Sequence, residues 1–215
     1  MTKTQNRGWL ILAIVSAILF LTDLGLVVSS ATQAVDLQLE RWVQTLNFGP
    51  LAYLFRATTW VSDLKQVIAV MIIIAVSWMI WRNTHQITQL AISWLSAAVI
   101  GEGVKILIDR PRPSSLLVHV LQQEQSKSFP SGHSIFYTWL GLSLILLLSP
   151  YIKPSGIRPL LWLLAVLLIF IGCLGRIWAG AHWPSDVGGG FLLALACMAG
   201  TLALTRGKTP TNSLR

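Results

Sequence analysis

The chain has 215 residues, of which 54% are hydrophobic and only 11% charged, and its mean hydropathy is +0.66. This amount of apolar surface is more than one soluble core can hide, so the composition excludes an ordinary soluble protein and indicates a lipid bilayer as part of the solvent. The net charge of +8 is compatible with nucleic-acid binding, but no basic stripe on a soluble face and no recognition motif accompanies it, so we expect no nucleic-acid partner.

Six apolar segments are predicted to cross the membrane, because a helix of roughly 20 apolar residues spans the hydrocarbon core and satisfies its own backbone hydrogen bonds. In chain order the six segments cover residues 9–28, 67–81, 90–108, 135–148, 160–174 and 187–204. The second is short, and we expect it to begin nearer residue 61, with Lys65 reaching the interface. The first begins like a secretory signal, but it is too long and contains Asp23, so we expect it to remain as a span.

The segment 31–60, between the first two spans, mixes apolar and charged residues and is predicted to form one or two amphipathic helices on the outer interface. Cys173 and Cys197 lie inside apolar runs and are interpreted as small hydrophobic fillers. We therefore predict an all-α, polytopic membrane protein with six transmembrane helices. Residues 1–205 are expected to form one domain, followed by a short cytoplasmic tail over residues 206–215.

The charges divide unequally between the two sides of the six predicted spans. Six crossings place both termini on one side, and that side carries eight bases and no acid: Lys3, Arg7, Arg82, Lys153, Arg158, Arg206, Lys208 and Arg215. Because Lys and Arg are retained in cytoplasmic loops, we predict a multi-pass protein of the cell membrane with both termini in the cytoplasm.

Three polar clusters stand out, because most other loops are short and carry few residues suited to catalysis or binding. They are K-I-L-I-D-R-P-R-P at 105–113, P-S-G-H at 130–133 and R-I-W-A-G-A-H-W-P-S-D at 176–186. Successive spans run in opposite directions, so the end of the third, the start of the fourth, the end of the fifth and the start of the sixth share one face. The span count therefore predicts that the three clusters meet in one outward-facing site.

The clusters contain three permanent cations, Lys105, Arg112 and Arg176. An unpaired charge near the membrane is costly, and although the acids Glu102 and Asp109 can each pair with one of these cations, a positive surplus remains. Phosphate suits that surplus, because the planar fork of arginine binds its oxygens in pairs.

Further groups complete a chemically capable set. Ser131 and Gly132 stand at a helix start, where backbone N–H groups lack intrahelical acceptors and can bind an anion. His182 precedes Asp186 by four residues, so the carboxylate can hold one imidazole nitrogen as N–H and leave the other free to attack phosphorus. His133 is then available to protonate the leaving oxygen.

Together the clusters resemble the signature of the type 2 phosphatidic acid phosphatase superfamily, which also includes bacterial phosphatidylglycerol-phosphate and undecaprenyl-diphosphate phosphatases and the vanadium haloperoxidases. The family pattern is K-x6-R-P, then P-S-G-H, then S-R-x5-H-x3-D, and the chain matches it from Lys105 to Asp186. One position departs from the pattern, since Gly175 replaces the leading serine of the third motif. We expect this to remove one hydroxyl contact and no charged or proton-transferring group.

The resemblance implies a role for each matching residue. It makes His182 the nucleophile that forms a phosphohistidine, Asp186 its orienting partner and His133 the acid for the leaving group. The phosphoryl oxygens are expected to contact Lys105, Arg112, Arg176, Ser131 and Gly132. The family needs no metal or other cofactor, and no carboxylate or histidine ligand set is clustered in the sequence.

We therefore expect metal-independent hydrolysis of a membrane lipid phosphate or diphosphate at the outer face. Phosphatidylglycerol phosphate, phosphatidic acid and undecaprenyl diphosphate are candidate substrates, and the compact chain with its outward site favours the first and last. Two other functions stay open: binding or transport of anionic lipid without chemistry, against which the His182–Asp186 pair argues, and vanadate-dependent halide oxidation, against which the spans argue. Nothing in the sequence indicates the oligomeric state.

The remaining conspicuous residues receive structural interpretations. Arg110 is interpreted as an interface charge, and His85 and His119 as loop residues without a catalytic partner. Gly188, Gly189 and Gly190 are predicted to allow close helix packing. The polar loop 114–129 is a candidate lid over the site.

Overall fold

The computed structural model describes residues 3–46, 48–61, 63–121, 124–152 and 156–205, and these form eight α-helices and no strand. The helices are α1 Lys3–Val28, α2 Gln33–Thr45, α3 Leu51–Thr59, α4 Asp63–Trp81, α5 Thr84–Ile108, α6 Gly132–Leu148, α7 Ile157–Trp178 and α8 Pro184–Thr205. The all-α prediction is confirmed for this part of the chain. The predicted tail, 206–215, lies outside the described residues.

Each predicted span falls inside one helix, in the order α1, α4, α5, α6, α7 and α8. Four of these, α1 from Asn6, α5, α7 and α8, are long and apolar enough to cross a membrane. The apolar parts of α4 and α6 are shorter, at Lys65–Ile80 and Gly132–Leu148. Lys65 donates to the Trp60 carbonyl at 3.0 Å and lies over the Trp60 ring, so its charge is satisfied at the start of α4. The chain is a multi-pass membrane protein.

The segment predicted to hold one or two amphipathic helices contains α2 and α3, and α2 has its polar face turned inward. Asp36 and Glu40 are buried, whereas Val35, Leu39 and Trp42 are exposed. This arrangement is the reverse of that on the surface of a soluble protein and fits a helix whose outer side meets lipid. The two carboxylates of α2 therefore point into the bundle, whereas Arg41 is exposed.

Helix α8 lies at the centre of the bundle, packed against α1, α5 and α6, while α7 packs against α6 and α3. The core around α6 is aromatic: Trp139 is fully buried, tilts against Trp94 and donates its indole N–H to the Leu90 carbonyl at 3.2 Å and to Ser93 Oγ at 3.1 Å. These bonds satisfy the indole N–H within the low-dielectric interior, where an unpaired donor is costly.

Glycines set the closest helix contacts. A Cβ at Gly172 would overlap the Tyr137 ring, and one at Gly190 would approach the Ser131 carbonyl. A Cβ at Gly189 would approach the Phe129 ring, whereas Gly188 faces open space. The predicted packing role is thus confirmed for Gly189 and Gly190 and wrong for Gly188.

Replacing Gly172 with alanine is expected to destabilise the protein by about 1–3 kcal/mol, because the added methyl group must displace the Tyr137 ring between α6 and α7. The matched control is Gly103→Ala in α5, where a Cβ meets nothing within 4 Å and the helix gains propensity. Thermal unfolding in detergent measures both variants. A Gly172→Ala midpoint equal to that of the control would show that the α6–α7 contact is not tight.

Candidate active site

Four helix ends meet on one side of the bundle, the carboxyl ends of α5 and α7 and the amino ends of α6 and α8. Ser131, just before α6, donates its backbone N–H to the Asp186 carbonyl of α8 at 2.9 Å. Ligand atoms of Glu124, His133 and His182 all lie within 4.8 Å of one another. The convergence deduced from alternating spans is therefore present, with two predicted histidines at its centre and a carboxylate that was not predicted.

Glu124 comes from the loop between α5 and α6 and contacts two of the predicted cations. Its Oε2 lies 2.9 Å from Arg112 Nη2, and its Oε1 contacts Arg176 Nη2. Burial alone would raise the pKa of Glu124, but the guanidinium groups of Arg176 and Arg112 together lower it to about 2. The carboxylate is thus a permanent anion held between two arginines and two imidazoles.

The surrounding donors are only partly satisfied by Glu124. Arg176 is fully buried, and within the described residues its Nε and Nη1 find no hydrogen-bond partner. His133 Nε2 also has no partner there. Buried guanidinium donors without acceptors are rare in proteins, and a tetrahedral anion with four oxygens satisfies more of them than one carboxylate does.

The contacts of His182 fix its tautomer. Arg112 Nη1 lies 2.9 Å from His182 Nε2, and since a guanidinium only donates, Nε2 must be the acceptor. The hydrogen therefore sits on Nδ1, which lies 2.9 Å from the Ser128 carbonyl. Burial, followed by the charges of Arg112 and Arg176, lowers the pKa of His182 well below its ordinary value. His182 is a neutral imidazole whose Nε2 lone pair accepts an N–H of Arg112.

Asp186 reaches His182 mainly through Ser128. Its Oδ2 lies 3.6 Å from His182 Nδ1, which is longer than a hydrogen bond. The Ser128 hydroxyl donates to the same oxygen, and the Trp183 N–H donates to it at 2.8 Å. The predicted direct hydrogen bond from His182 to Asp186 is therefore wrong, because the Ser128 carbonyl takes the Nδ1 proton.

Lys105 does not join the other two cations. Its ammonium is buried and pairs with Glu102 on the same helix at 2.7 Å, as the sequence allowed. Asp109, by contrast, pairs with Lys127 and not with a predicted site cation. In the described structure the cradle around Glu124 thus consists of Arg112 and Arg176, with Lys105 one helix turn before the end of α5.

Ser131 and Gly132 stand at the start of α6 as predicted, but some of their hydrogen-bonding groups already have partners within the protein. Ser131 Oγ accepts from the Ser134 N–H at 3.3 Å, and the Ser131 N–H is used by Asp186. The N–H groups of Gly132 and His133 lie in the first helical turn, where no intrahelical carbonyl can accept them. Gly132, and not Ser131, therefore offers a backbone donor.

Gly175 has a packing explanation. A Cβ at this position would lie 2.6 Å from Thr58 Oγ1 and 3.3 Å from the Phe55 backbone. A serine at this position would not fit beneath α3. The close approach of α3 to α7 therefore explains why glycine replaces the family serine.

Four important residues were not predicted as part of the site: Glu124, Ser128, Asp36 and Arg110. Arg110 is not the interface charge expected from the sequence, since it pairs with Asp36 at 2.7 Å and Asp186 at 2.5 Å. Only Glu124 carried a usable signal, as the one acid in the polar loop 114–129.

The sequence predicted no cluster of carboxylate or histidine metal ligands, and this prediction is wrong. Glu124, His133 and His182 come together as a two-histidine, one-carboxylate group of a kind that zinc uses. Both carboxylate oxygens, however, face guanidinium groups, and two fixed positive charges repel a cation and attract an anion. The charge distribution favours a phosphoryl group at this position.

The fold and the site define a helical membrane protein with a buried anion-binding centre between two imidazoles. The chain belongs to the PAP2 superfamily, whose model matches residues 86–210 and so includes every predicted site residue. The family resemblance is confirmed, and with it the enzyme class, a lipid phosphatase.

Individual relatives differ in their described activities. The chain is 26% identical over 184 residues to the bacitracin transport permease protein BcrC of Bacillus licheniformis, an alignment that covers 84% of this chain and 75% of BcrC. It is 30% identical over 119 residues to the undecaprenyl-diphosphatase of Sulfolobus acidocaldarius, covering 54% of this chain and 53% of that relative, about half its length. The PAP2-type phosphatidylglycerolphosphate phosphatase of Bacillus subtilis shares the fold, with a TM-score of 0.78 and 19% identity over 93% of this chain and 98% of that one.

Beside the site, Glu40 of α2 is fully buried, and neither of its carboxylate oxygens has a hydrogen-bond partner among the described residues. Burial, and then the negative charges of Asp186 and Asp36, raise the pKa of Glu40 to about 8, although Arg110 opposes them. Glu40 is therefore a neutral carboxylic acid at pH 7.

Glu40→Gln is expected to reduce the loss of stability on raising the pH. The native carboxyl keeps its proton up to about pH 8, while the unfolded one ionises near 4.5, so the native state binds more protons between these values and stability falls as the pH rises through them. The contribution is complete below 4.5 and lost above about 8. Thermal midpoints in detergent at about pH 5 and about pH 8.5 should differ more for the wild type than for the variant. Equal differences would contradict the buried, protonated state.

Proposed function

We propose that the protein hydrolyses a membrane lipid phosphate or diphosphate through a phosphohistidine on His182. The observation that carries this proposal is the position of Glu124, an anion bound by Arg112 and Arg176 between His133 and His182. A phosphoryl group in the same place would meet the same two guanidinium groups and lie close to both imidazoles.

Substrate binding would exchange the Glu124 carboxylate for phosphoryl oxygens. Arg112 and Arg176 would bind these oxygens, Arg176 also using the donors that Glu124 leaves unpaired, and Gly132 would add a backbone N–H. A cleft of about 410 Å³, lined by Arg112, Glu124 and the loop around Gly180, opens at this point and provides a route for water and inorganic phosphate.

In the first step, the lone pair of His182 Nε2 attacks phosphorus and the bond from phosphorus to the leaving oxygen breaks. His133, protonated in the substrate complex, transfers its Nε2 proton to that oxygen, which leaves as an alcohol or a lipid monophosphate. Hydrogen bonding of Nδ1 to Ser128 keeps the lone pair on Nε2, and Arg112 would release that lone pair when its Nη1 turns to a phosphoryl oxygen. The nearby carboxylate of Asp186 stabilises the positive charge that develops on the ring.

In the second step, His133 takes a proton from water and the resulting hydroxide attacks the phosphohistidine. The P–N bond breaks, inorganic phosphate leaves and His182 regains its lone pair. The arginines stabilise the equatorial oxygens in both steps. The bond changes themselves involve only His182, His133, the substrate and water.

The proposal includes the membrane arrangement predicted from the sequence. The chain would form one domain with six crossings by α1 and α4–α8, both termini would be cytoplasmic, and the site would face outward. Helices α2 and α3 would lie at the outer interface, where the exposed apolar face of α2 meets lipid. A lipid tail would then remain between helices while its head group reaches the arginines.

Two substrates follow from the relatives, one named for undecaprenyl diphosphate and one for phosphatidylglycerolphosphate. Phosphatidic acid is the third candidate. Turnover of the purified protein on the three lipids, compared side by side at equal surface concentration, identifies the preferred head group.

The name of BcrC, a transport permease protein, corresponds to the second function considered from the sequence, binding or transport without chemistry. Anion binding alone requires only the arginines. The fixed tautomer of His182, which places a lone pair on Nε2 beside Arg112, favours catalysis over binding.

His182→Ala is expected to lower phosphate release by roughly a thousandfold or more, because it removes the proposed nucleophile. The measurement is inorganic phosphate released from lipid by purified protein in detergent. His119→Ala is the matched control, since His119 is exposed and lies in the neighbouring loop. Unchanged turnover of the His182 variant would remove the nucleophile and leave the non-catalytic function.

Glu124→Gln is expected to strengthen binding of inorganic phosphate by about tenfold, because a neutral amide competes less well for Arg112 and Arg176. Competitive inhibition of turnover by phosphate measures this affinity. Asp109→Asn serves as control, because Asp109 is an exposed acid paired with Lys127. An inhibition constant that is unchanged, or weaker, would show that Glu124 does not occupy the phosphoryl position.

A further inference from the structure

Arg110 lies two residues before Arg112 but makes a separate set of contacts. Its nearly enclosed guanidinium lies between two buried carboxylates, with Nη1 2.5 Å from Asp186 Oδ1 and Nη2 2.7 Å from Asp36 Oδ2. The same nitrogens donate to Ser185 Oγ at 2.7 Å and to Thr32 Oγ1 at 3.1 Å. One guanidinium therefore bridges a carboxylate of α8 and a carboxylate of α2.

Asp36 also caps α8 from outside that helix. Its Oδ1 accepts the Ser185 N–H at 2.9 Å, and its Oδ2 accepts the Ser185 hydroxyl at 2.7 Å. The first N–H groups of a helix lack intrahelical acceptors, and the helix dipole favours negative charge there. The polar face of α2 thus holds the amino end of α8, where Asp186 is located.

A continuous series of contacts leads from this pair to His182. Asp186 accepts the Ser128 hydroxyl, and the Ser128 carbonyl lies 2.9 Å from His182 Nδ1. The Ser128 N–H donates to the Arg110 carbonyl at 2.9 Å, so Arg110 also fixes the backbone that holds the imidazole. A shift of Arg110 therefore changes the aim of His182 Nε2.

We infer that Arg110 and Asp36 are positioning residues for the reaction: they fix Asp186 and Ser128, and through them His182, without touching the phosphoryl group. Their ion pairs go to each other and to Asp186, not to Glu124. The inference rests on the proposed function, since it concerns the aim of the nucleophile. It assigns the interfacial helix α2 a part in catalysis.

Arg110→Gln and Asp36→Asn are expected to lower kcat by about 10- to 100-fold, because small misplacement of a reacting atom is costly, while KM and the inhibition constant of inorganic phosphate change less than about twofold. Arg110→Lys keeps the charge but cannot span both carboxylates, so its kcat should lie between those of the wild type and Arg110→Gln. The split between kcat and KM separates positioning from phosphate binding.

Two variants control for the substitutions themselves. Arg56→Gln changes an exposed arginine of α3, and Asp109→Asn changes an exposed acid at the end of α5. Both should keep the wild-type kcat. An Arg110→Gln or Asp36→Asn kcat equal to these controls, or a KM that rises as much as kcat falls, would overturn the inference.

Ser185→Ala keeps the test decisive if the charge variants do not fold, because it removes one hydroxyl shared by Asp36 and Arg110 and leaves both ion pairs. We expect kcat to fall about two- to fivefold, with an unchanged thermal midpoint. If both Ser185→Ala and Arg110→Lys kept the wild-type kcat, the positioning inference would be overturned and the proposed function would stand. A wild-type protein that releases no phosphate from any lipid would overturn the proposed function as well.

Discussion

Two fully or largely enclosed guanidinium groups need an anion, and this requirement organises the site. Arg112 and Arg176 come from different parts of the chain and meet at one carboxylate, that of Glu124. Without an anion between them, two like charges would face each other in a low-dielectric region. The same requirement that keeps Glu124 in place makes the position attractive to a phosphoryl group, so the resting contact and the proposed substrate contact have one physical cause.

The membrane solvent explains why the helices around the site are built as they are. Helix α2 exposes its apolar residues and buries its carboxylates, and Asp36 on the buried side contacts the polar end of α8. Helix α8 in turn is packed on several sides, and its glycines allow the loop carrying Phe129 and Ser131 to approach closely. The candidate site residues thus lie at or next to helix ends, and buried polar contacts such as that between Arg110 and Asp186 fix those ends.

Much of the fold and part of the site could be predicted from sequence. Long apolar runs determine spanning helices nearly by themselves, and alternation of direction brings Arg112, His133, Arg176 and His182 to one face. Residues such as Ser128 and Glu124 could not be found this way, because they lie in an irregular loop where no periodicity relates position to direction. Asp36 was missed for a different reason: the mixture of apolar and charged residues in a short helix does not reveal which face is buried, and here the carboxylates turn inward. The direct His182–Asp186 bond failed because a backbone carbonyl, invisible in any motif, competes for the same proton.

The central claim is that His182 Nε2 forms a bond to phosphorus. Wild-type protein should be mixed with a lipid phosphate radiolabelled in its phosphoryl group, quenched within one turnover under alkaline conditions, which preserve phosphohistidine, and digested for peptide mapping. The claim predicts label on the peptide containing His182, attached at Nε2, and none in His182→Ala. Turnover without any labelled peptide, or label on His133 or Ser131 instead, would contradict it.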